Sequence, residues 1–135
     1  MKRRLLDFIC CPRCRSAFGV EVSAAEQEEI LEGELRCGAC PAVYPISAGV
    51  PRILPEHMHS ETRHSALNFG GSWELFGSLK EVYRNQFLDW IRFHSLDEEF
   101  FRGKVILDFG GGKGRHSYLA SRFGAKEVIG IDVSS

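Results

Sequence analysis

Two CxxC pairs constrain the fold of this 135-residue chain more than any other feature of its sequence. Cys11 and Cys14 enclose a proline and an arginine, Cys37 and Cys40 enclose a glycine and an alanine, and 22 residues separate the pairs. Two residues between cysteines allow a tight turn that aims both sulfurs at one point, and proline and glycine favour such turns. Two pairs at this separation suit one tetrahedral Zn²⁺ with four thiolate ligands. We therefore expect a structural zinc site at Cys11, Cys14, Cys37 and Cys40, with no coordination position left for a Lewis-acid role.

Two other interpretations of the cysteines stay open at this point, namely a disulfide pair or two unrelated redox CxxC motifs. The basic start of the chain is not followed by an apolar stretch long enough for a secretory signal. This disfavours a disulfide scaffold and favours a cytoplasmic protein. We expect the fifth cysteine, Cys10, to be a small buried hydrophobic residue rather than a ligand, although it could replace Cys11 if that residue were mutated.

The charge balance argues against some broad classes of function. The chain has 17 Lys and Arg against 18 Asp and Glu, which gives a net charge of −1. We therefore do not expect a protein that binds nucleic acid or a membrane surface through charge alone. No apolar run approaches the ~20 residues that span a bilayer.

The segment between the two CxxC pairs is predicted to contain short strands at 18–22 and 34–36. Ser23 and Glu26 fit a capping box, which predicts a short acidic helix between these strands. Residues 1–55 are too few to bury a large core. Structural zinc would offset this, because it supplies roughly 10–16 kcal/mol of apparent folding free energy in peptides of this size.

The motifs LLDFICCPRC at 5–14, LRCGAC at 35–40, YPI at 44–46 and GVP at 49–51 extend this pattern. Together they resemble the small zinc-ribbon activator subunit of tRNA and protein methyltransferases and its bacterial relatives, over about residues 4–54. The resemblance implies an α+β zinc ribbon at 1–55. It also implies a partner methyltransferase, which such ribbons bind and stabilise.

The middle of the chain is predicted to be a polar linker at 56–77 followed by a helix. Ser78 and Glu81 form a capping box, and apolar residues then recur at helical spacing to about Ser95. We interpret the aromatic residues of this helix as core rather than as a platform for stacking bases, since basic residues do not interleave with them.

A glycine-rich loop dominates the last third of the chain. An apolar strand at 105–109 precedes the glycines, a helix at 115–123 follows them, and a second strand is predicted at 127–132. This order is typical of the first βαβ unit of a Rossmann-like sheet. The P-loop code and the GxGxxG code both fail here, whereas Asp108-x-Gly110-x-Gly112-x-Gly114 fits the pattern D/E-x-G-x-G-x-G.

That pattern resembles class I S-adenosylmethionine-dependent methyltransferases, and Asp132 matches the ribose-binding acidic residue of that superfamily. The resemblance implies S-adenosyl-L-methionine as cofactor. Its predicted cofactor-binding residues are Asp108, Gly110, Gly111, Gly112, Gly114 and Asp132.

Taken together, the two resemblances predict a zinc ribbon fused to the start of an α/β methyltransferase domain at 78–135. We expect the chain to be the N-terminal part of a longer enzyme that transfers a methyl group to an unidentified acceptor. No catalytic residue can be nominated. The alternative is a non-enzymatic zinc-binding adaptor that docks and stabilises a partner methyltransferase, and a homo-oligomer also stays open. A third interpretation, a ribbon that delivers an RNA substrate, is disfavoured by the mild acidity.

Overall fold

The computed structural model describes residues 1–54 and 81–133, which belong to two compact units. We call residues 1–54 the ribbon unit and residues 81–133 the C-terminal unit. The linker predicted at 56–77 and the predicted helix start at Ser78 lie outside the described residues. The division at 55 and 78 therefore stays a prediction.

The ribbon unit is a four-stranded antiparallel sheet preceded by a 3₁₀ helix at Arg3–Asp7. Its strands are β1 at Phe18–Glu26, β2 at Glu29–Cys37, β3 at Val43–Ser47 and β4 at Val50–Pro51. They lie in the order β1-β2-β3-β4, so each strand pairs with the next one along the chain. The zinc-ribbon fold predicted for this part of the chain is confirmed, and its strands form an antiparallel sheet.

The acidic helix predicted after Ser23 is wrong, because β1 continues through Glu26 and turns directly into β2. Gln27 adopts a left-handed φ of 52° in this turn. The pairing of Ala25 with Ile30 places Ile30 in the core, where it is only 3% exposed. Burial across the sheet thus overrides the weak local preference that a capping box expresses.

The core of the ribbon unit lies under one face of the sheet. Its fully buried members Leu35 and Ile46 come from neighbouring strands, and the ring of Phe18 meets that of Tyr44 edge to face at 5.7 Å. The amino group of Met1 donates to Ile30 O at 2.8 Å, and Ile30 N donates back to Met1 O at 2.8 Å. These two bonds hold residue 1 beside the start of β2. The buried set comprises Met1, Cys11, Phe18, Ile30, Leu35, Ala42 and Ile46.

The C-terminal unit contains two α-helices, one 3₁₀ helix and two parallel strands. Helix α1 spans Glu81–Phe93, a 3₁₀ helix spans Glu98–Phe101, β5 spans Val105–Phe109, α2 spans Arg115–Arg122 and β6 spans Glu127–Ile131. The sequence predicted this strand–loop–helix–strand order, and β5 pairs with β6 in parallel from Val105 opposite Glu127 to Phe109 opposite Ile131. Strand β5, helix α2 and strand β6 form one βαβ unit. This unit does not by itself identify a methyltransferase domain.

The core of the C-terminal unit is built on Phe87 of α1. Its ring lies 5.7 Å from that of Phe101, 6.2 Å from that of Phe123 and 4.7 Å from the imidazole of His116. The predicted aromatic core of α1 is therefore right at Phe87, but Trp90 is 55% exposed. In the described part of the chain, no helix has the length and apolarity needed to cross a membrane.

Candidate functional site

The four cysteines of the CxxC pairs meet at one end of the ribbon sheet. Cys11 and Cys14 precede β1, Cys37 is the last residue of β2, and Cys40 follows it before β3. The four Sγ atoms all lie within 4.8 Å of one another, with Cys11 to Cys40 at 3.7 Å and Cys14 to Cys37 at 3.3 Å. Four thiolates at ~2.3 Å from one tetrahedral zinc ion would be separated by about 3.8 Å. The donor set and its spacing therefore fit a single Zn²⁺.

The same distances argue against the disulfide interpretation. A disulfide needs sulfurs about 2.05 Å apart, and all five cysteines of the chain are free thiols. The two CxxC motifs also form one cluster rather than two separate redox sites, because each of the two short sulfur contacts joins one pair to the other.

Backbone hydrogen bonds shape both turns that present the sulfurs. In the first turn, Cys11 N donates to Ser16 O at 2.9 Å and Arg15 N donates to Cys11 O at 2.7 Å, with Arg15 at a left-handed φ of 63°. In the second turn, Cys37 N donates to Ala42 O at 3.0 Å. The sheet and these bonds fix the sulfur positions within the chain itself.

Hydrogen bonds and burial move the thiol pKa values in different directions. Hydrogen bonds from the side chain and backbone of Ser16, and then from Cys37, lower the pKa of Cys14 to about 6. Burial raises the pKa of Cys11, but hydrogen bonds from the backbone of Cys14 and Arg13 outweigh it and the net pKa is lowered.

The pKa of the Cys40 thiol is raised well above its ordinary value. A hydrogen bond from the backbone of Ala42 lowers its pKa, yet burial and the three neighbouring cysteines together raise it to about 12. Because this thiol resists ionisation, the cluster needs a cation before all four sulfurs can be thiolates. A bound Zn²⁺ would supply that charge.

The structure corrects the prediction for Cys10, which is exposed rather than buried. The buried thiol of this pair is its neighbour Cys11, which is fully inaccessible to solvent. Two adjacent residues in an irregular segment present their side chains in different directions, so only one of them can enter the core. Ser16, whose hydrogen bonds lower the pKa of Cys14, was missed by the sequence analysis because it lies outside the CxxC spacing.

The structure also brings together the six residues predicted to bind a cofactor. The glycine loop, residues 110–114, connects β5 to α2, and it requires left-handed backbone at Gly110, Gly112 and Gly114, with φ values of 74°, 51° and 71°. Gly110 N donates to Ile131 O at 2.8 Å, which closes the loop against the end of β6. A Cβ on Gly111 would lie 2.9 Å from Asp108 Oδ2.

Both predicted carboxylates bond to their own loop and helix. Asp132 Oδ2 accepts from Gly112 N at 2.8 Å. Asp108 Oδ2 accepts from Ser117 N at 3.1 Å and from Ser117 Oγ at 2.6 Å, which ties the end of β5 to the first turn of α2. Ser117 was not singled out from the sequence, where a serine in a helical segment carries no distinctive signal.

A cavity of about 300 Å³ lies outside this loop, between α1 and the 3₁₀ helix of the C-terminal unit. Its floor is apolar and its rim is charged. None of its lining residues belongs to the glycine loop, and they are Leu88, Ile91, Arg92, Asp97, Glu98 and Glu99.

Comparison with known proteins identifies relatives of the ribbon unit. Residues 2–49 match the family model described as Trm112p-like protein. A UPF0434 protein of Coxiella burnetii is 36% identical over 56 residues, which cover 42% of this chain and 86% of that protein.

Two further similarities involve methyltransferase proteins by name. Protein arginine N-methyltransferase 1 of Saccharomyces cerevisiae is 46% identical over 39 residues, covering 29% of this chain and only 11% of that protein. A solved complex between the Haloferax volcanii Trm112 methyltransferase activator and a candidate methyltransferase contains a chain that is 40% identical, with 41% of this chain and 93% of that chain covered and a TM-score of 0.39. The present chain thus spans about a tenth of the yeast enzyme.

These matches correct the main functional prediction. The chain was predicted to be an S-adenosylmethionine-dependent methyltransferase, and this is wrong, because Trm112p-like proteins activate methyltransferases and are not catalysts themselves. The physical reason lies in the glycine pattern. The left-handed backbone of the loop and its bonds to Asp108 and Asp132 already require these residues for the local fold, so the pattern does not by itself identify an enzyme.

The alternative interpretation, a non-enzymatic zinc-binding adaptor, fits the matches better than the enzyme does. The four-cysteine cluster agrees with it, since four protein ligands leave a metal ion structural rather than catalytic. With the antiparallel ribbon, the cysteine cluster and the match at residues 2–49, the chain belongs to the Trm112p-like protein family.

Proposed function

We propose that this chain is a zinc-dependent adaptor whose ribbon unit binds and stabilises a partner methyltransferase. The observation that carries the proposal is the Trm112p-like match over the residues that build the four-cysteine cluster. The zinc ion has a structural role: it joins the loop before β1 to the end of β2 and so fixes the sheet that contacts the partner. We further propose a cytoplasmic location, where the thiols stay reduced.

An apolar strip on the ribbon unit is the surface we assign to the partner. Val43 and Val50 are 40% and 48% exposed, and the exposed Pro45 lies between them on the same side of β3 and β4. This strip borders charged residues on β2, where Arg36 pairs with Glu34 at 2.6 Å. An apolar strip beside a charged rim is the usual composition of a protein interface.

The proposal is tested by co-expressing the chain with a panel of methyltransferases. We expect at least one member to gain soluble yield and a higher midpoint of thermal unfolding, since a partner that binds only the folded state stabilises it by mass action. The variant Val43→Glu should lose this effect while keeping its zinc. Val22→Glu is the matched control, because Val22 is 39% exposed on the other side of the sheet. No stabilisation of any panel member would refute the adaptor function.

For the glycine loop we propose binding of S-adenosyl-L-methionine, without methyl transfer by this chain. Two features support this. Glycines let a nucleoside approach the backbone closely, and carboxylates flank the loop at Asp108 and Asp132. The sulfonium cofactor carries no phosphate, so neighbouring carboxylates do not repel it.

Calorimetric titration with S-adenosylmethionine tests this second proposal independently of the first. We expect measurable binding that Asp132→Ala weakens and Asp97→Ala leaves unchanged. Asp97 caps the 3₁₀ helix through Phe100 N at 3.1 Å and has no part in the loop. Equal heats for buffer and cofactor would refute binding by this loop, and the adaptor proposal would be unaffected.

A further inference from the structure

Two sulfurs of the cysteine cluster, those of Cys14 and Cys37, lie within reach of each other and of solvent. Their Sγ atoms are 3.3 Å apart, and Cys14 is exposed while Cys37 is half-buried. The second close pair is more distant and more enclosed, because the sulfurs of Cys11 and Cys40 are 3.7 Å apart and Cys11 is fully inaccessible to solvent. Within the cluster, an oxidant in solution therefore meets Cys14 first.

A small movement is enough to bond these two sulfurs to each other. A disulfide needs sulfurs about 2.05 Å apart, so the gap between Cys14 and Cys37 must close by about 1.2 Å. Cys37 is fixed by the sheet, since it ends β2 and its N donates to Ala42 O at 3.0 Å. Cys14 lies before β1 and outside the strands, so its side chain and its turn supply the approach.

We propose that Cys14 and Cys37 form a paired modification site, at which a hydroperoxide produces a disulfide and the zinc ion is released. This inference rests on the proposed zinc site, because the released ion must first be bound by the same cysteines. A disulfide sulfur is no longer a thiolate. The cluster would keep only the thiolates of Cys11 and Cys40, whereas a structural zinc site is held by four protein ligands.

The oxidation proceeds in two displacements. The Cys14 sulfur attacks one peroxide oxygen, the O–O bond breaks, and a sulfenic acid forms on Cys14 as hydroxide leaves. The Cys37 sulfur then attacks the Cys14 sulfur, the S–S bond forms, and the S–O bond breaks with loss of a second hydroxide. Each sulfur loses one electron, and the peroxide takes up two protons and becomes two molecules of water.

The disulfide would join the same two segments that the zinc ion joins. Cys14 precedes β1, and Cys37 ends β2 opposite Phe18, the first residue of β1. The bond closes a loop with 22 residues between the two cysteines, which restricts the unfolded chain. Oxidation would thus remove the metal ion and keep the ribbon sheet, and reduction of the disulfide would restore zinc binding.

Titration of the reduced, zinc-loaded chain with hydrogen peroxide tests the proposal, with a chromophoric chelator to report released zinc. We expect zinc to appear as two of the five thiols are lost. Trypsin cleaves after Arg13 and Arg15 and so separates Cys14 from the other cysteines. Mass spectrometry with fragmentation should then locate the disulfide at Cys14 and Cys37. The oxidised chain should unfold roughly 10 °C higher than the reduced chain stripped of zinc.

Cys10→Ser is the matched control, because Cys10 is exposed, as Cys14 is, but lies outside the cluster. This variant should release zinc at the same peroxide concentration as the unchanged chain. Dithiothreitol should restore zinc binding in both.

Metal analysis before the oxidant is added separates this inference from the proposed function. A chain that holds no zinc overturns both. Three results with a zinc-loaded chain overturn this inference alone: zinc retained in peroxide, a disulfide within one CxxC motif or at Cys10, or zinc loss that dithiothreitol does not reverse.

Discussion

Asp108, at the end of β5, caps helix α2 through Ser117, accepting hydrogen bonds from its backbone N and from its Oγ at 3.1 Å and 2.6 Å. The helix needs a cap from elsewhere, because the residue at its own N-cap position is Gly114, which has no side chain and adopts a φ of 71°. The first backbone N–H groups of any helix lack intrahelical acceptors. One carboxylate thus joins the strand, the glycine loop and the helix.

Asp108→Ala should therefore destabilise the C-terminal unit by about 1–2 kcal/mol, the usual cost of a lost N-terminal cap. Asp108→Asn should cost less, because the amide oxygen can still accept from Ser117 N. Ser117→Ala added to Asp108→Ala should cost little more than Asp108→Ala alone, since the Ser117 hydroxyl has already lost its acceptor. Urea unfolding followed by tryptophan fluorescence would measure these values, since both tryptophans lie outside the ribbon unit. Unchanged stability in Asp108→Ala would show that the cap does not contribute.

The ribbon hairpin depends on a glycine where its two strands approach most closely. A Cβ on Gly33 would lie 2.2 Å from the backbone oxygen of Glu21, beside the register shift between Val22 and Ala24. Backbone atoms cannot rotate away as a side chain can. Gly33→Ala should therefore lower the free energy of unfolding by about 1–3 kcal/mol, as overpacking does.

Gly19 offers the matched control for this substitution. It lies on the same hairpin, and a Cβ there would meet nothing closer than Arg36 O at 3.9 Å. Gly19→Ala should be close to neutral in the same denaturation experiment. A similar loss in both variants would mean that the close approach at Gly33 is not the cause.

The sequence predicted these features unequally, for physical reasons. The cysteine cluster and the βαβ unit depend on spacing within short segments, so the sequence predicted both. The predicted bounds of β5 and α2 agree with the structure to within one residue. The β1–β2 hairpin was missed beyond Val22, because its strand pairing depends on burying Ile30 and not on local preference. The enzyme function was predicted wrongly because the glycines at 110–114 indicate only a left-handed loop conformation. Many proteins without this activity share that conformation.

Arg36 separates two glutamates that stand directly opposite each other on neighbouring strands. Glu21 pairs with Glu34 in the β1–β2 register, and the guanidinium of Arg36 contacts Glu21 at 2.9 Å and Glu34 at 2.6 Å. Both carboxylates raise the pKa of Arg36, with Glu21 the larger cause. Like charges directly opposite destabilise an antiparallel pair.

Arg36→Gln should therefore lower the thermal midpoint of the ribbon unit at low ionic strength. All three side chains are about half exposed or more, so added salt should shrink the effect. The double variant Arg36→Gln with Glu34→Gln should recover most of the loss, since the repulsion is then removed. A loss in Arg36→Gln that persists unchanged in high salt would point to lost packing of the arginine stem instead of charge.

Zinc binding by the four cysteines should weaken as the pH falls, with a steeper dependence below about pH 6. Cys40, whose pKa is raised to about 12, must give up a proton to bind zinc at any pH near neutrality. This alone makes the affinity rise at least about tenfold per pH unit. Cys14, whose pKa is lowered to about 6, is largely a thiolate at pH 7 and adds a further proton to the dependence only as the pH falls through that value. Competition with a chromophoric chelator across pH 5 to 9 would measure how steeply the zinc affinity changes with pH, with the variant Cys10→Ser as the control outside the cluster.

A pH dependence whose slope stays constant through pH 6 would contradict the low pKa of Cys14. Zinc retained at every pH would contradict thiolate ligation.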